Sequence, residues 1–172
     1  MIELTDKQIA EYFHRSYTAA DGLWFIKVEE KYGFEQALEI DNEVWKVLPK
    51  IQARFLKSTG KMEKGIDALF RCLSTKLSID GFNFRGEKII NGNGFKIIIG
   101  ECPWHNLMIK SGRKEYSEQV GSLICKTEYS IWASEFDDDI DFKLKNQICK
   151  GSKFCILFYF RNSFKRYFSD VY

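Results

Sequence analysis

Apolar side chains recur at three- and four-residue steps as far as Leu77 and then change to alternating or continuous runs, so the chain reads as helices followed by a sheet. Thr5 with Gln8 makes a capping box, and an aromatic-rich first helix, whole or in part, starts there. Tyr17, Asp21, Trp24, Val28 and Tyr32 share one helical face that Gly33 ends. That stripe assigns Trp24, together with Trp45, to the core or a pocket wall of the helical half. Asp21 is its one charged member, either a surface or helix-start residue beside Gly22 or a carboxylate facing a pocket. Ala37, Ile40, Val44, Val47, Leu48, Ile51 and Phe55 predict a long helix reaching Lys57 with a kink at Pro49. Ile66, Leu69, Phe70 and Leu73 place another over residues 63–77, with Cys72 as a buried or boundary residue.

Beyond this point the period changes. Asp80-Gly81 and Asn91-Gly92-Asn93-Gly94 bracket residues 82–90, and residues 95–101 follow, which predicts a hairpin with a glycine-rich turn. Pro103 suits a first helical position, which makes Cys102 the N-cap of a short helix through Met108. A longer helix is expected over 115–136, with Val120, Leu123, Ile124, Thr127 and Ile131 on its inner face. Ile140, Phe142, Leu144, Asn146 and Ile148 then alternate with polar residues. After the turn at Lys150-Gly151-Ser152-Lys153, residues 154–160 are apolar on both faces and so belong to a central strand. The expectation is an α+β fold in one domain over 1–172, in which N-terminal helices (1–78) pack with a C-terminal antiparallel sheet of about four strands and one or two further helices (79–172).

Composition narrows the class. A chain of 172 residues with 45% hydrophobic and 16% aromatic content can bury one core and is too apolar for a disordered segment. No apolar run approaches the roughly 18 to 20 residues of a membrane span, and Met1-Ile2-Glu3-Leu4-Thr5-Asp6 lacks the order of a signal peptide, so a cytoplasmic location with no membrane partner is expected. The net charge of +2 is too small to point to nucleic acid, and a homo-oligomer stays open. Asp137-Asp138-Asp139-Ile140-Asp141 lacks the glycine and closing glutamate of a calcium loop and reads as a solvated turn. Arg161, Lys165 and Arg166 among Phe164, Tyr167 and Phe168 could touch RNA or an acidic partner, but pack more simply as an amphipathic tail.

Five cysteines are an odd number, and in a reducing compartment they are thiols rather than disulfides. Four of them, Cys102, Cys125, Cys149 and Cys155, lie in the sheet half. A thiol at the N-cap position of Cys102 meets unpaired N–H groups and the positive end of the helix dipole, which lower its pKa, and His105 stands in the same turn. Cys125, Glu128 and Trp132 share a helical stripe. Cys149 and Cys155 flank the last turn and can face each other across the ladder. Two readings stay open: these thiols converge on one site with His105 or Glu128 beside it, or they fill a core next to the sheet.

The run Cys102-Pro103, Cys125-x-x-Glu128 and Cys149-Lys150-Gly151-x-x-x-Cys155 resembles the C-terminal pattern of the L-2-amino-thiazoline-4-carboxylic acid hydrolase-like proteins, with glutamate where that pattern more often has aspartate. The last piece is also similar to the vinyl-4-reductase small-molecule-binding domain. Asp21-Gly22-Leu23-Trp24-Phe25, Val44-Trp45 and Pro49-Lys50-Ile51-Gln52-Ala53-Arg54 resemble uncharacterised bacterial and archaeal proteins of the same two-part layout. The resemblance implies a small hydrolase acting on a cyclic amidine or amide, with Cys125 or Cys102 as nucleophile or metal ligand and Glu128 moving protons. Cys102, His105, Cys125, Cys149 and Cys155 would then be the ligands of a metal ion, zinc or iron, and Asp21, Trp24 and Trp132 would line the substrate pocket. The alternative is a module that binds or senses a small ligand or a metal and breaks no bond.

Overall fold

The computed structural model describes residues 1–89 and 92–164. Its contacts divide the chain into two compact units, Met1–Glu43 and the remainder from Val44. In the first unit, helix α1 (Asp6–Tyr32) begins at the predicted capping box, where the Gln8 N–H donates to Thr5 Oγ1 and the Thr5 N–H donates to Gln8 Oε1. It runs unbroken to Gly33, whose φ of 91° lies in a region open to glycine. Helix α2 (Phe34–Trp45) follows, and Phe25 meets Phe34 edge to face at 5.9 Å. The less exposed stripe of α1 runs through Tyr17, Asp21, Phe25 and Val28. Trp24, one position off that line, is 65% exposed, which removes it from the core where the three- and four-residue spacing placed it. Trp45, by contrast, is buried as expected.

The long kinked helix expected around Pro49 is two helices. A turn at Lys46 and Val47 separates α2 from α3 (Leu48–Thr59), and Pro49 falls in the first turn of α3, where a missing N–H breaks no helical hydrogen bond. Helix α4 (Ile66–Ile79) buries Leu69, Leu73 and Leu77. Strands β1 (Asn83–Lys88) and β2 (Gly94–Glu101) then form the predicted hairpin, of whose turn Ile90 and Asn91 lie outside the described residues. Helix α5 (Pro103–Lys110), α6 (Ser117–Ser134), β3 (Ile140–Lys145) and β4 (Cys155–Arg161) complete the order.

The sheet is antiparallel with strand order β1-β2-β4-β3, so the strand that is apolar on both faces is central, as its composition requires. Period-two alternation sends Phe95, Ile97 and Ile99 of β2 and Leu157 and Tyr159 of β4 toward α4 and α6, where they meet Leu69, Leu73, Trp132 and Phe136. Phe158 and Phe160 take the other face with Ile89 and Ile156. Gly86 of β1 lets the sheet approach α4: a Cβ there would stand 2.5 Å from the Phe70 ring. The acidic turn before β3 is answered by Arg161, whose Nη1 lies 2.6 Å and 2.7 Å from the two Asp139 carboxylate oxygens. The predicted basic tail from Lys165 onward lies outside the described residues. No helix among the described residues is long and apolar enough to cross a membrane.

Leu73, fully buried between α4 and the sheet, and Phe55, exposed on α3, should respond oppositely to truncation. Leu73→Ala should lose about 2 to 5 kcal/mol in urea denaturation. Phe55→Ala should change stability by less than about 0.5 kcal/mol.

Candidate functional site

Helix α6 lies against the sheet with a different face inward from the one its apolar residues predict. Ile124, Glu128, Tyr129, Trp132 and Ala133 are buried, while Leu123 is exposed and Val120, Thr127 and Ile131 are only half-buried. The stripe that carries a thiol, a carboxylate and an indole is therefore the inner one. Trp132 is completely buried, and its Nε1–H has no hydrogen-bond partner among the described residues.

Lys76 faces this inner stripe. On α4 the series Ile66, Leu69, Leu73, Lys76, Asp80 steps by three and four, so the lysine lies on the same stripe as the core leucines and is itself buried. Its ammonium forms an ion pair with Glu128 and reaches Asp80 Oδ2 at 3.1 Å. The rings of Phe82 and Tyr129 lie 5.5 Å and 5.6 Å from it. Burial alone would lower the pKa of Lys76, but the two carboxylates outweigh it and raise the value. Burial raises the Glu128 pKa from its ordinary value, Lys76 opposes the shift, and Asp80 adds a smaller push upward.

The thiols sit around this pair and are held neutral. Burial pushes Cys125 well up, and the charge of Glu128 and then the thiols of Cys102, Cys155 and Cys149 push the same way. Cys102 does occupy the N-cap of α5, yet burial outweighs the N–H groups of His105 and Trp104, and its pKa is raised, the reverse of the expected direction. Cys155 is pushed up to about 11 by burial, against the Ile148 N–H, which donates to its Sγ at 3.1 Å. Cys149 does not face Cys155 across a ladder. Strand β3 stops at Lys145, Asn146 turns the chain at φ 51°, and Cys149 lies in a 3-10 turn, Ile148–Lys150. Cys155 pairs with Ile99. The Cys149 sulfur instead lies against α6 at Gly121, 2.7 Å from where a Cβ would be, and Gln147 Nε2 donates to the Gly121 carbonyl at 2.9 Å.

His105 turns elsewhere. Its Nδ1 shares a 2.7 Å hydrogen bond with the hydroxyl of the buried Ser117, joining α5 to the start of α6, and burial with Lys114 lowers its pKa. Among the described residues no three His, Cys, Asp or Glu side chains are grouped to hold a metal ion, the predicted set of Cys102, His105, Cys125, Cys149 and Cys155 included. All five cysteines are free thiols, where their odd number required only one to be unpaired. Asp21 and Trp24 belong to the first unit, where burial raises the carboxyl of Asp21.

Residues 4–164 match the model of the family of unknown function DUF6125. The chain belongs to that family. No curated protein matches it. The buried charges of this DUF6125 chain are its least foreseen feature, since Lys76 and Asp80 carried no predicted role. A lysine at the next step of the Ile66, Leu69, Leu73 series, with an aspartate four residues on, was the available signal.

Lys76→Met should cost about 3 to 5 kcal/mol, because it leaves the buried Glu128 and the half-buried Asp80 without their cation. The double variant Lys76→Met/Glu128→Gln should recover a large part of that loss, and the double-mutant cycle measured by urea denaturation checks it. Lys76 holds its proton more tightly when folded, so its contribution is complete below the ordinary lysine value of 10.5 and is lost as pH rises through the higher folded value. A second expectation concerns the thiols. Alkylation at neutral pH should be slow for all but unfolded protein, and elemental analysis after purification without added metal should find no stoichiometric zinc or iron.

Proposed function

We propose that the sheet half holds a small-molecule site at the inner stripe of α6, where Glu128 moves a proton on a bound cyclic amide or amidine, a hydrolase-like role. The observation that carries this reading is a buried carboxylate, its pKa raised by burial, on the same stripe as a buried indole N–H with no acceptor among the described residues. A desolvated carboxyl group is suited to general acid-base work. An unpaired buried donor costs on the order of 1 to 3 kcal/mol, which the carbonyl or carboxylate oxygen of a ligand would offset. Lys76 fixes the position and charge of Glu128, and Tyr129 and Tyr159, raised well above the ordinary tyrosine range first by burial, stay protonated beside it. The neutral thiols of Cys102, Cys125, Cys149 and Cys155 shape the apolar surroundings, and in this reading water activated by Glu128, rather than Cys125, attacks the substrate. The resemblance to the thiazoline-carboxylic acid hydrolase-like proteins agrees with that substrate class.

The raised thiols favour one other reading, a module that binds a small ligand without turnover, since neither Cys125 nor Cys102 is an activated nucleophile. Thermal shift and product analysis by mass spectrometry against a panel of cyclic amides and amidines separate the two. The hydrolase reading expects a stabilising compound that is consumed by the wild type, and Glu128→Gln should keep the stabilisation and the circular dichroism spectrum while lowering turnover by about 100-fold or more. Stabilisation without consumption supports the binding module. A panel that neither stabilises nor reacts removes both.

A further inference from the structure

Helix α1 has a second apolar face beside the stripe through Tyr17, Asp21, Phe25 and Val28. At about 100° per residue, Ile9, Tyr12, Phe13, Leu23 and Trp24 fall in one band roughly 120° wide, with the small Ser16 and Ala20 between them. All five large side chains are exposed, Tyr12, Phe13 and Trp24 by 63%, 64% and 65%. The band is palindromic about Thr18. In an antiparallel pair of such helices centred there, Tyr12 meets Trp24, Phe13 meets Leu23, and Ser16 meets Ala20 at the crossing, where small residues let the backbones approach. Ile9 meets the aliphatic stem of Lys27, whose ammonium is turned aside to Glu30 at 2.7 Å. Pairing of residue i with j and of j with i is what a two-fold interface demands.

The area is sufficient. An aromatic side chain buries about 150 to 250 Å² when fully covered, so these three rings, about two-thirds exposed, together with Leu23 and Ile9 bring roughly 500 Å² of apolar surface per copy. Two copies reach about 1,000 Å², the threshold of a specific interface. The first unit also needs the cover: of its apolar residues only Val28, Ala37 and Leu38 are buried, and a unit of Met1–Glu43 stands near the length of about 40 residues at which a single core falls short. We propose that the protein pairs with a second copy of itself through this outer face of α1, the two helices antiparallel and crossing at Ser16 and Ala20.

Light scattering of the full chain during size exclusion at micromolar concentration tests it. The wild type should have twice its chain mass of 20.2 kDa. Phe13→Glu should weaken the dimer at least about tenfold with an unchanged circular dichroism spectrum, since a charge then faces Leu23 on both sides of the axis. Phe13→Glu/Leu23→Lys should regain dimer, because in this register each new carboxylate faces a new ammonium. A monomeric wild type, a Phe13→Glu variant that still dimerises as the wild type does, or a double variant without recovery overturns the pairing. A monomer that binds vesicles of anionic lipid would assign the face to a membrane surface and overturn it equally.

Discussion

A lysine ammonium taken out of water into a helix-on-sheet interior must be matched by carboxylates, and that requirement sets the packing of the second unit. Lys76 rises from the leucine stripe of α4, where it meets Asp80 at the end of its own helix and Glu128 on the facing one. Helix α6 is turned so that Glu128 faces it. Leu123 is left at the surface by that rotation, while Cys125, Tyr129 and Trp132 are carried inward. The desolvation penalty of such a pair is of the same order as its attraction, so its value lies more in specifying how two helices meet than in net stability.

The elements that were legible in the sequence are those whose signals are local. Thr5 and Gln8 make a cap without help from the rest of the chain, Pro103 starts α5, and the two-sided apolar run of β4 can only be central. Pro49 was read for the right property in the wrong place, because a proline breaks a helix or opens one depending on where the preceding turn falls. Trp24 and Trp45 look alike as stripe members, but a helix with apolar residues on two sides gives no period that says which side the core will use. The face of α6 was only partly legible in its own residues: Ile124 is buried as expected, but the partner of Glu128 is Lys76, some fifty positions earlier, and apolar periodicity alone weighs Val120 and Leu123 above Glu128.

The same distinction governs the thiols. Cys102 has the helix position that activates cysteines, and its pKa is nevertheless raised, because burial by elements distant in the chain outweighs two backbone N–H groups. Cys149 and Cys155 are close in the chain, yet Asn146 and Gly151, both at positive φ, turn the segment between the strands into a compact knot that points Cys149 at Gly121 of α6.

The order β1-β2-β4-β3 places the two most apolar strands inside the sheet and leaves β1 and β3 at its margins. The margins are charged: Arg85, Glu87 and Lys88 on one side, Asp141, Lys143 and Lys145 on the other. A row of open amides flanked by such side chains is a poor template for another strand. Residues 95–99 and 156–160, which have the composition of fibril-forming segments, are hydrogen-bonded on both sides as long as the fold holds. Fibre formation by this chain is thus tied to the opening of the whole sheet, and its rate in storage or on heating will follow the population of unfolded molecules rather than any fraying at the rim.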